Sequence, residues 1–450
     1  MRIDIYQLHM ENLMRQVNVG DISKFCIRHG TAIILIVAAI LFFVRMHYAL
    51  DTYPVRGDVI NFYNQAEMVK AGMVPYVDYV FEFPPYAMMF FLIPSMFTSD
   101  LDVYAQIFAV MVTLASLLCL YFLMKISDRM GINKLVTAFI FSALILMYYK
   151  DLILKFDAIP MLLTMMSIYS FQCRNRYLAY GLAALGALVK IYPVFLIVVY
   201  LILDLSDRRD SRKIRITQGV IACVVVGLVA IIPLMVAGAS FGDIMSFLSF
   251  HTERGFQVES VIGVIIQALG LMGWTDVSLE MVHDTYDVIS PVSNALLPYW
   301  NWIVALMMLA VYALVFKHAM RYGRDGTSDR NLMVYASVVF LMFILTNKVF
   351  STQYMLWLFP LFAVLASFPG RRQEWSLITF ILVMEMLAVT MLMSYHPVTV
   401  DFVIENLGRD LMMVALTVVL LLYICGKHRL FTRRYVEHGD ERSAKIKQTN

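Results

Sequence analysis

The chain has 450 residues, 60% of them hydrophobic and 15% charged, whereas soluble domains carry about a quarter charged residues. That balance excludes a string of small soluble domains and makes this an integral membrane protein. The net charge of +3, with Lys and Arg gathered in short loops, argues against a nucleic-acid partner. None of the five cysteines, Cys26, Cys119, Cys173, Cys223 and Cys425, has metal-ligand spacing to another, so neither a disulfide nor a metal site is expected.

In chain order, residues 1–29 read as a charged cytoplasmic segment without a small-residue cleavage site, and 31–49 as a retained anchor. An aromatic-rich loop, 51–102, follows. Within it 84–97 is apolar but short, opens on Pro84-Pro85 and is interrupted by Pro94, which suits a helix lying at the interface better than a crossing. Crossings are then expected at 103–124, 134–149, 158–173, 177–189, 191–203, 216–238, 300–317, 331–346, 354–369, 375–394 and 408–426, with a second large loop at 239–299. Lys190 and Pro193 divide the stretch 177–203 into two short helices. Basic clusters at 125–134, 174–176, 208–215, 317–330, 371–372 and 427–434 mark cytoplasmic loops. With these inside, the chain makes twelve crossings with both termini cytoplasmic. The fold class is therefore an all-α polytopic membrane protein, with one membrane-embedded domain over 30–426 and a basic tail at 427–450.

Ionisable residues collect at the outer ends of these spans. Asp58 and Glu82 lie in the first loop, Lys155 and Asp157 in the second, Lys190 at a turn, His251, Glu253, Arg254, Gln257 and Glu259 in the large loop, and Lys348, Gln353 and Tyr354 in the next turn. A transporter would place such groups mid-membrane along a route across the bilayer. The main exception is Glu385, a carboxylate within an apolar span, and the plain reading for it is a hydrogen bond to a neighbouring helix. There is no nucleotide-binding glycine loop, helical His-Glu zinc motif or internal repeat.

Arg56-Gly-Asp58, Pro-Tyr-Val-Asp78, Glu82-Phe-Pro-Pro85, Lys155-Phe-Asp157-Ala-Ile-Pro160, Lys190-Ile-Tyr192-Pro193, Arg254-Gly-Phe-Gln257-Val-Glu259-Ser260 and Asn347-Lys348-Val-Phe-Ser-Thr-Gln353-Tyr354-Met-Leu-Trp357 form an ordered set. In that order they resemble the polyprenol-phosphate-dependent mannosyltransferases of the GT-C fold, closest to glycosyltransferase family 87 with its phosphatidylinositol-mannoside α-1,2-mannosyltransferases. The Lys190-Ile-Tyr-Pro193 and Asn347-Lys-Val…Gln353-Tyr354…Trp357 pieces are also similar to the eukaryotic enzyme that adds the first mannose to GPI anchors. The resemblance spans about residues 30–370. It implies an inverting mannosyltransferase without cofactor or metal, moving a sugar from a polyprenyl-phosphate donor to a glycolipid or lipid-linked glycan acceptor. The active site would face away from the cytoplasm at the cell membrane. Many relatives have two adjacent acidic residues in the first loop, whereas Gly57 precedes Asp58 here, so a second carboxylate is left open between Glu82 and Asp157. Two other classes fit twelve spans: a lipid or polysaccharide transporter, and a lipid-diphosphate-dependent polymerase or ligase.

A lipid-phosphate sugar carries its own leaving group, so one general base suffices, and the resemblance gives that role to Asp58. A structural alternative is that Asp58 caps a short helix beginning at Val59. Arg254, Lys190 and Lys348 are candidate phosphate donors, their alternatives being a loop-internal ion pair for Arg254 and snorkelling for the lysines. Asp157, Gln257, Gln353, Tyr354 and Trp357 could bind sugar hydroxyls or stack on the ring. Tyr192, His251 and Glu259 complete the set of substrate-binding candidates that the resembling motifs imply.

Overall fold

The computed structural model describes residues 19–52, 57–207, 211–252, 254–282, 285–322, 328–368 and 397–426, with the backbone alone at 19–28, 250–252, 322 and 328. The chain runs through α1 (Val19–Thr52), α2 (Asp58–Lys70), α3 (Ala87–Ser95), α4 (Leu101–Met130), α5 (Lys134–Met147), α6 (Tyr149–Leu154), α7 (Ala158–Gln172), α8 (Arg176–Val189) and α9 (Val194–Ser206). It continues with α10 (Arg212–Val236), α11 (Phe241–Thr252), α12 (Val261–Leu271), a β1–β2 hairpin (Ser278–Val282, Thr285–Ile289), α13 (Pro291–Tyr322), α14 (Ser328–Thr346), α15 (Met355–Ala366) and α16 (Val400–Ile424). The expected span 375–394, with Glu385, and the 427–450 tail lie outside the described residues.

The helix boundaries follow from capping chemistry. Asp100, Asn133, Asn175, Ser260 and Thr399 each sit at an N-cap and accept a main-chain N–H of the first turn, while Gly131 closes α4 in the left-handed region at φ 66°. Among the described residues six helices are long and apolar enough to cross a membrane: His29–Thr52, Leu101–Met130, Arg212–Val236, Pro291–Arg321, Asp329–Thr346 and Val400–Ile424. This is a multi-pass membrane protein. The apolar helices α5, α7, α8, α9 and α15 are shorter, reaching only about 20 Å against a hydrocarbon core of about 30 Å. Protein compensates for their shortness: every residue of α15 and nearly all of α7 is buried, so exposed backbone ends are shielded by neighbours rather than lipid. Helices α1, α10 and α13, by contrast, turn large apolar side chains such as Ile36, Val229 and Leu309 outward, as lipid-facing helices do.

Two features fill the expected outer loops, the first of them as the sequence indicated. First, the 84–97 segment is a helix of nine residues, about 13 Å long and too short to cross. It packs on α2 and α4, with the Tyr104 hydroxyl donating to the Phe91 carbonyl at 2.9 Å and Lys70 Nζ to that of Ser95 at 3.2 Å. Second, the 239–299 loop holds α11, α12 and an antiparallel hairpin with Ser278 opposite Ile289 and Val282 opposite Thr285. Residues 256–258 pair with the hairpin through Val258 N to Tyr286 O (3.0 Å) and Val288 N to Phe256 O (2.8 Å). Phe256, Val258, Val264, Ile266 and Val288 then join Phe402 and Val403 of α16 in a second small core beneath the loop.

Candidate active site

Six phenylalanines assemble the first half of the site. Phe62 stacks on Phe91 with centroids 4.3 Å apart, and Phe156 packs edge-on against Phe62, Phe83 and Phe91 at 5.3 to 5.5 Å, with Phe81 and Phe108 completing the cluster. Each acidic candidate neighbours one of these rings. Asp58 is one helical turn before Phe62 and so on the same face of α2; Glu82 lies between Phe81 and Phe83; Asp157 follows Phe156. Burying the rings together therefore draws three distant carboxylates into one region.

Their partners come from other turns. Lys155 Nζ donates to Asp58 Oδ2 at 2.5 Å, Lys190 Nζ to Asp157 Oδ1 at 2.6 Å, and Arg254 Nη2 to Glu82 Oε2 at 3.4 Å. Asp58 is the first residue of α2 rather than its cap. The cap position is Gly57, whose φ of 74° a side chain would strain, and no side chain caps the helix. The capping alternative for Asp58 is thereby replaced by the ion pair.

Asp157 is fully buried at 0% exposure. Its Oδ1 also accepts the Trp357 indole N–H at 2.6 Å, and its Oδ2 has no protein hydrogen-bond partner. Trp357 lies in an aromatic stack, 4.3 Å from Tyr192 and 4.1 Å from Tyr354. Lys190 Nζ faces Phe156, Trp357 and Tyr354 at 4.9 to 5.5 Å, an arrangement suited to holding a desolvated cation. Tyr192 is itself buried behind Trp357 and receives a hydrogen bond from Thr164 at 3.2 Å, so it braces the stack.

The large loop supplies the opposite wall. Arg254 and Gln257 are buried, Gln257 N donates to the Lys348 carbonyl at 3.0 Å, and Gly255 N donates to Asp287 Oδ2 at 2.9 Å. A methyl group at Gly255 would stand 2.7 Å from that oxygen, so a side chain there would have to push Asp287 aside. Burial lowers the pKa of Lys348, partly offset by Asp287. Gln257 Oε1 and Gln353 Oε1 are buried acceptors without a protein partner, as is Asp157 Oδ2. Three such acceptors beside stacked aromatics suit the hydroxyl donors of a sugar.

Tyr354 lies within electrostatic reach of Asp58, Glu82, Asp157 and Arg254, which places the groups from both walls around it. The expected residues thus converge, except that the side chain of His251 lies outside the described residues. Sequence reading missed others. Asp151 of α6 is within electrostatic reach of Asp58, Lys155 and Asp157, and burial holds its carboxyl above the usual range. Asp287 anchors Gly255 from the hairpin, and Arg409 of α16 donates to the Glu259 carbonyl at 2.6 Å. The signal available for Arg409 was an Arg-Asp pair inside an apolar span, where charged residues are costly and seldom idle.

No curated protein matches this chain. ArnT from Cupriavidus metallidurans bound to undecaprenyl phosphate is a similar solved structure, at 14% identity over 88% of this chain and 77% of that one, with a TM-score of 0.48, too distant a likeness to assign anything from. The model of glycosyltransferase family 87 matches residues 81–346, which is more than half of the chain and includes the segments bearing Glu82, Asp157, Lys190 and Arg254. With those segments meeting in one polar, aromatic-lined cluster, the chain belongs to glycosyltransferase family 87.

Proposed function

We propose that this glycosyltransferase has the GT-C architecture and transfers a hexose, in our reading mannose, from a polyprenyl-phosphate donor to a glycolipid or lipid-linked glycan. The observation that carries the reading is the gathering of three carboxylates and three cations from the turns at 58, 82, 155–157, 190 and 254 around Tyr354 and Trp357. A donor whose phosphate is already a leaving group needs little more than that: a base for the acceptor and cations for the phosphate.

In this scheme the acceptor hydroxyl oxygen attacks the anomeric carbon in line, Asp58 takes its proton, and the bond from that carbon to the phosphate oxygen breaks, inverting the centre. Arg254 and Lys348 receive the charge that builds on the departing phosphate, and a planar guanidinium suits two of its oxygens at once. Asp157, fixed by Lys190 and Trp357, keeps Oδ2 for a sugar hydroxyl, with Gln257 and Gln353 as further acceptors. Tyr354 and Trp357 offer ring faces to the apolar side of the sugar. The short helix α3 lies where a prenyl chain could run along it.

The decisive experiment incubates membranes containing the protein with radiolabelled polyprenyl-phosphate mannose and follows label into the lipid fraction. Label entering a glycolipid only when the protein is present supports the reading. No transfer from this donor, with transfer from a lipid-diphosphate donor instead, would move the protein to the polymerase or ligase class.

A further inference from the structure

Helix α16 lies beyond the segment that the family model covers, yet one of its residues reaches two of the segments that line the site. Arg409 is wholly buried, at 0% exposure. Its neighbour Asp410 accepts from Nε at 3.0 Å and from Nη2 at 2.9 Å, and Nη2 also donates to the main-chain carbonyl of Glu259 at 2.6 Å. The guanidinium carbon sits 3.9 Å from the centroid of the Phe350 ring. One side chain therefore grips the strand that carries Arg254 and Gln257 and the turn that carries Lys348 and Gln353. Those two segments touch directly as well, through Gln257 N and the Lys348 carbonyl at 3.0 Å.

A buried ion pair is a weak source of stability, since apolar replacements of similar volume are often neutral or better. Retaining one in an apolar helix calls for another reason, and the geometry offers it. We infer that Arg409 is a positioning residue of the donor-phosphate site, setting the register of the two loops so that Arg254 and Lys348 address one phosphate. This inference rests on the polyprenyl-phosphate reading above. Planarity matters to it. A guanidinium can lie flat on Phe350 while its edge serves Glu259 and Asp410, whereas a lysine ammonium can meet only part of that set.

The test uses the full-length protein in detergent and polyprenyl phosphate itself as the probe, comparing the wild type with Arg409→Lys and with the double variant Arg409→Met/Asp410→Leu. The double variant removes Arg409 and Asp410 together, so Asp410 is not left buried without its ion-pair partner. Wild-type protein is expected to bind the probe, the double variant to bind it about tenfold more weakly or worse at a similar melting temperature, and Arg409→Lys to recover part of the loss. Two outcomes would overturn the inference while leaving the donor reading intact: wild-type affinity in the folded double variant, or a fall in melting temperature in both variants with the folded fraction, if any, binding normally. Wild-type protein that neither binds the probe nor transfers from the labelled donor would remove the donor reading, and this inference with it.

Discussion

The ion pair between Asp58 and Lys155 decides how a substitution at Asp58 should behave. Both side chains are partly exposed, so the pair contributes under about 1 kcal/mol to stability, and no capping bond is lost on substitution. Asp58→Asn keeps the shape but cannot take a proton, so transfer should fall by about a hundredfold to ten-thousandfold with the melting temperature nearly unchanged. Near-normal transfer by this variant, with Asp151→Asn or Asp157→Asn inactive, would place the base elsewhere. Arg254→Lys keeps charge but loses the planar fork, and it should weaken turnover; normal kinetics would shift the phosphate role to Lys348 or Lys190. Glu259 supplies a pH dependence. Burial pushes its carboxyl up to about 7, beyond what Arg409 of α16 and Lys155 offset and with Asp151 adding to the rise. The folded state therefore holds a proton that the unfolded chain releases near pH 4.5, and stability drops as pH rises from there to about 7, by at most about 3 kcal/mol. Melting temperatures at pH 5 and 7.5 should differ in the wild type by more than in Glu259→Gln; an equal pH response in the two would show that Glu259 does not titrate in that window.

At the scale of elements, α2 is positioned from its apolar side. Phe62 is fully buried among Phe83, Phe91, Phe108 and Phe156, one turn from Asp58. Phe62→Ala should cost about 3–5 kcal/mol through the cavity it leaves, and it should lower kcat as the start of α2 loses its seat. Thermal unfolding together with turnover checks this, and a destabilised variant with full kcat would mean that the carboxylate is placed independently of the cluster. The same cluster explains what the sequence made legible. Phe81, Phe83 and Phe156 sit beside Glu82 and Asp157, so the motifs showed both the chemistry and the rings that assemble it. Long apolar runs gave α1, α4, α10 and α14, and Pro193 with Lys190 gave the break between α8 and α9. The break also has a packing reason, because Gly186 lies close to Pro193 and a methyl group on it would come within 3.2 Å of that ring. What could not be read were long-range contacts without a local signature: the hairpin that seats Asp287 against Gly255, and the grip of Arg409 on Glu259 and Phe350 from well over a hundred and from about sixty positions away. Asp151 hid for a different reason, since it reads as an ordinary charged residue at the end of a span until the short helix α6 turns it toward Lys155.

At the scale of the whole molecule, the contacts sort the turns into two sets. The end of α1 and start of α2, the turns at 155–157 and 190, the 254–259 segment and the 347–354 turn all meet at the site end of the bundle. The turns at 127–134, 172–176 and 204–215 gather at the other end, where Arg129 donates to the Gln172 carbonyl at 2.8 Å and Arg176 and Arg215 both pair with buried Asp204. That second set carries the basic clusters, which favour the cytoplasmic side. The site end should therefore face away from the cytoplasm, with both termini inside. The prediction can be read with single reporter cysteines at Ser99, next to α3, and at Ser443, in a background lacking the five native cysteines. A membrane-impermeant thiol reagent applied to intact cells should label the Ser99 reporter and spare the Ser443 reporter until the membrane is opened. The choice of Ser99 makes the test sharp, because its hydroxyl and carbonyl accept from Lys70 and Tyr63 and so fix it to the α2–α3 unit that carries Asp58. Labelling of both reporters from the same side would break the even parity of the crossings. Labelling of Ser443 alone would invert the protein and bring the donor to the cytoplasmic leaflet.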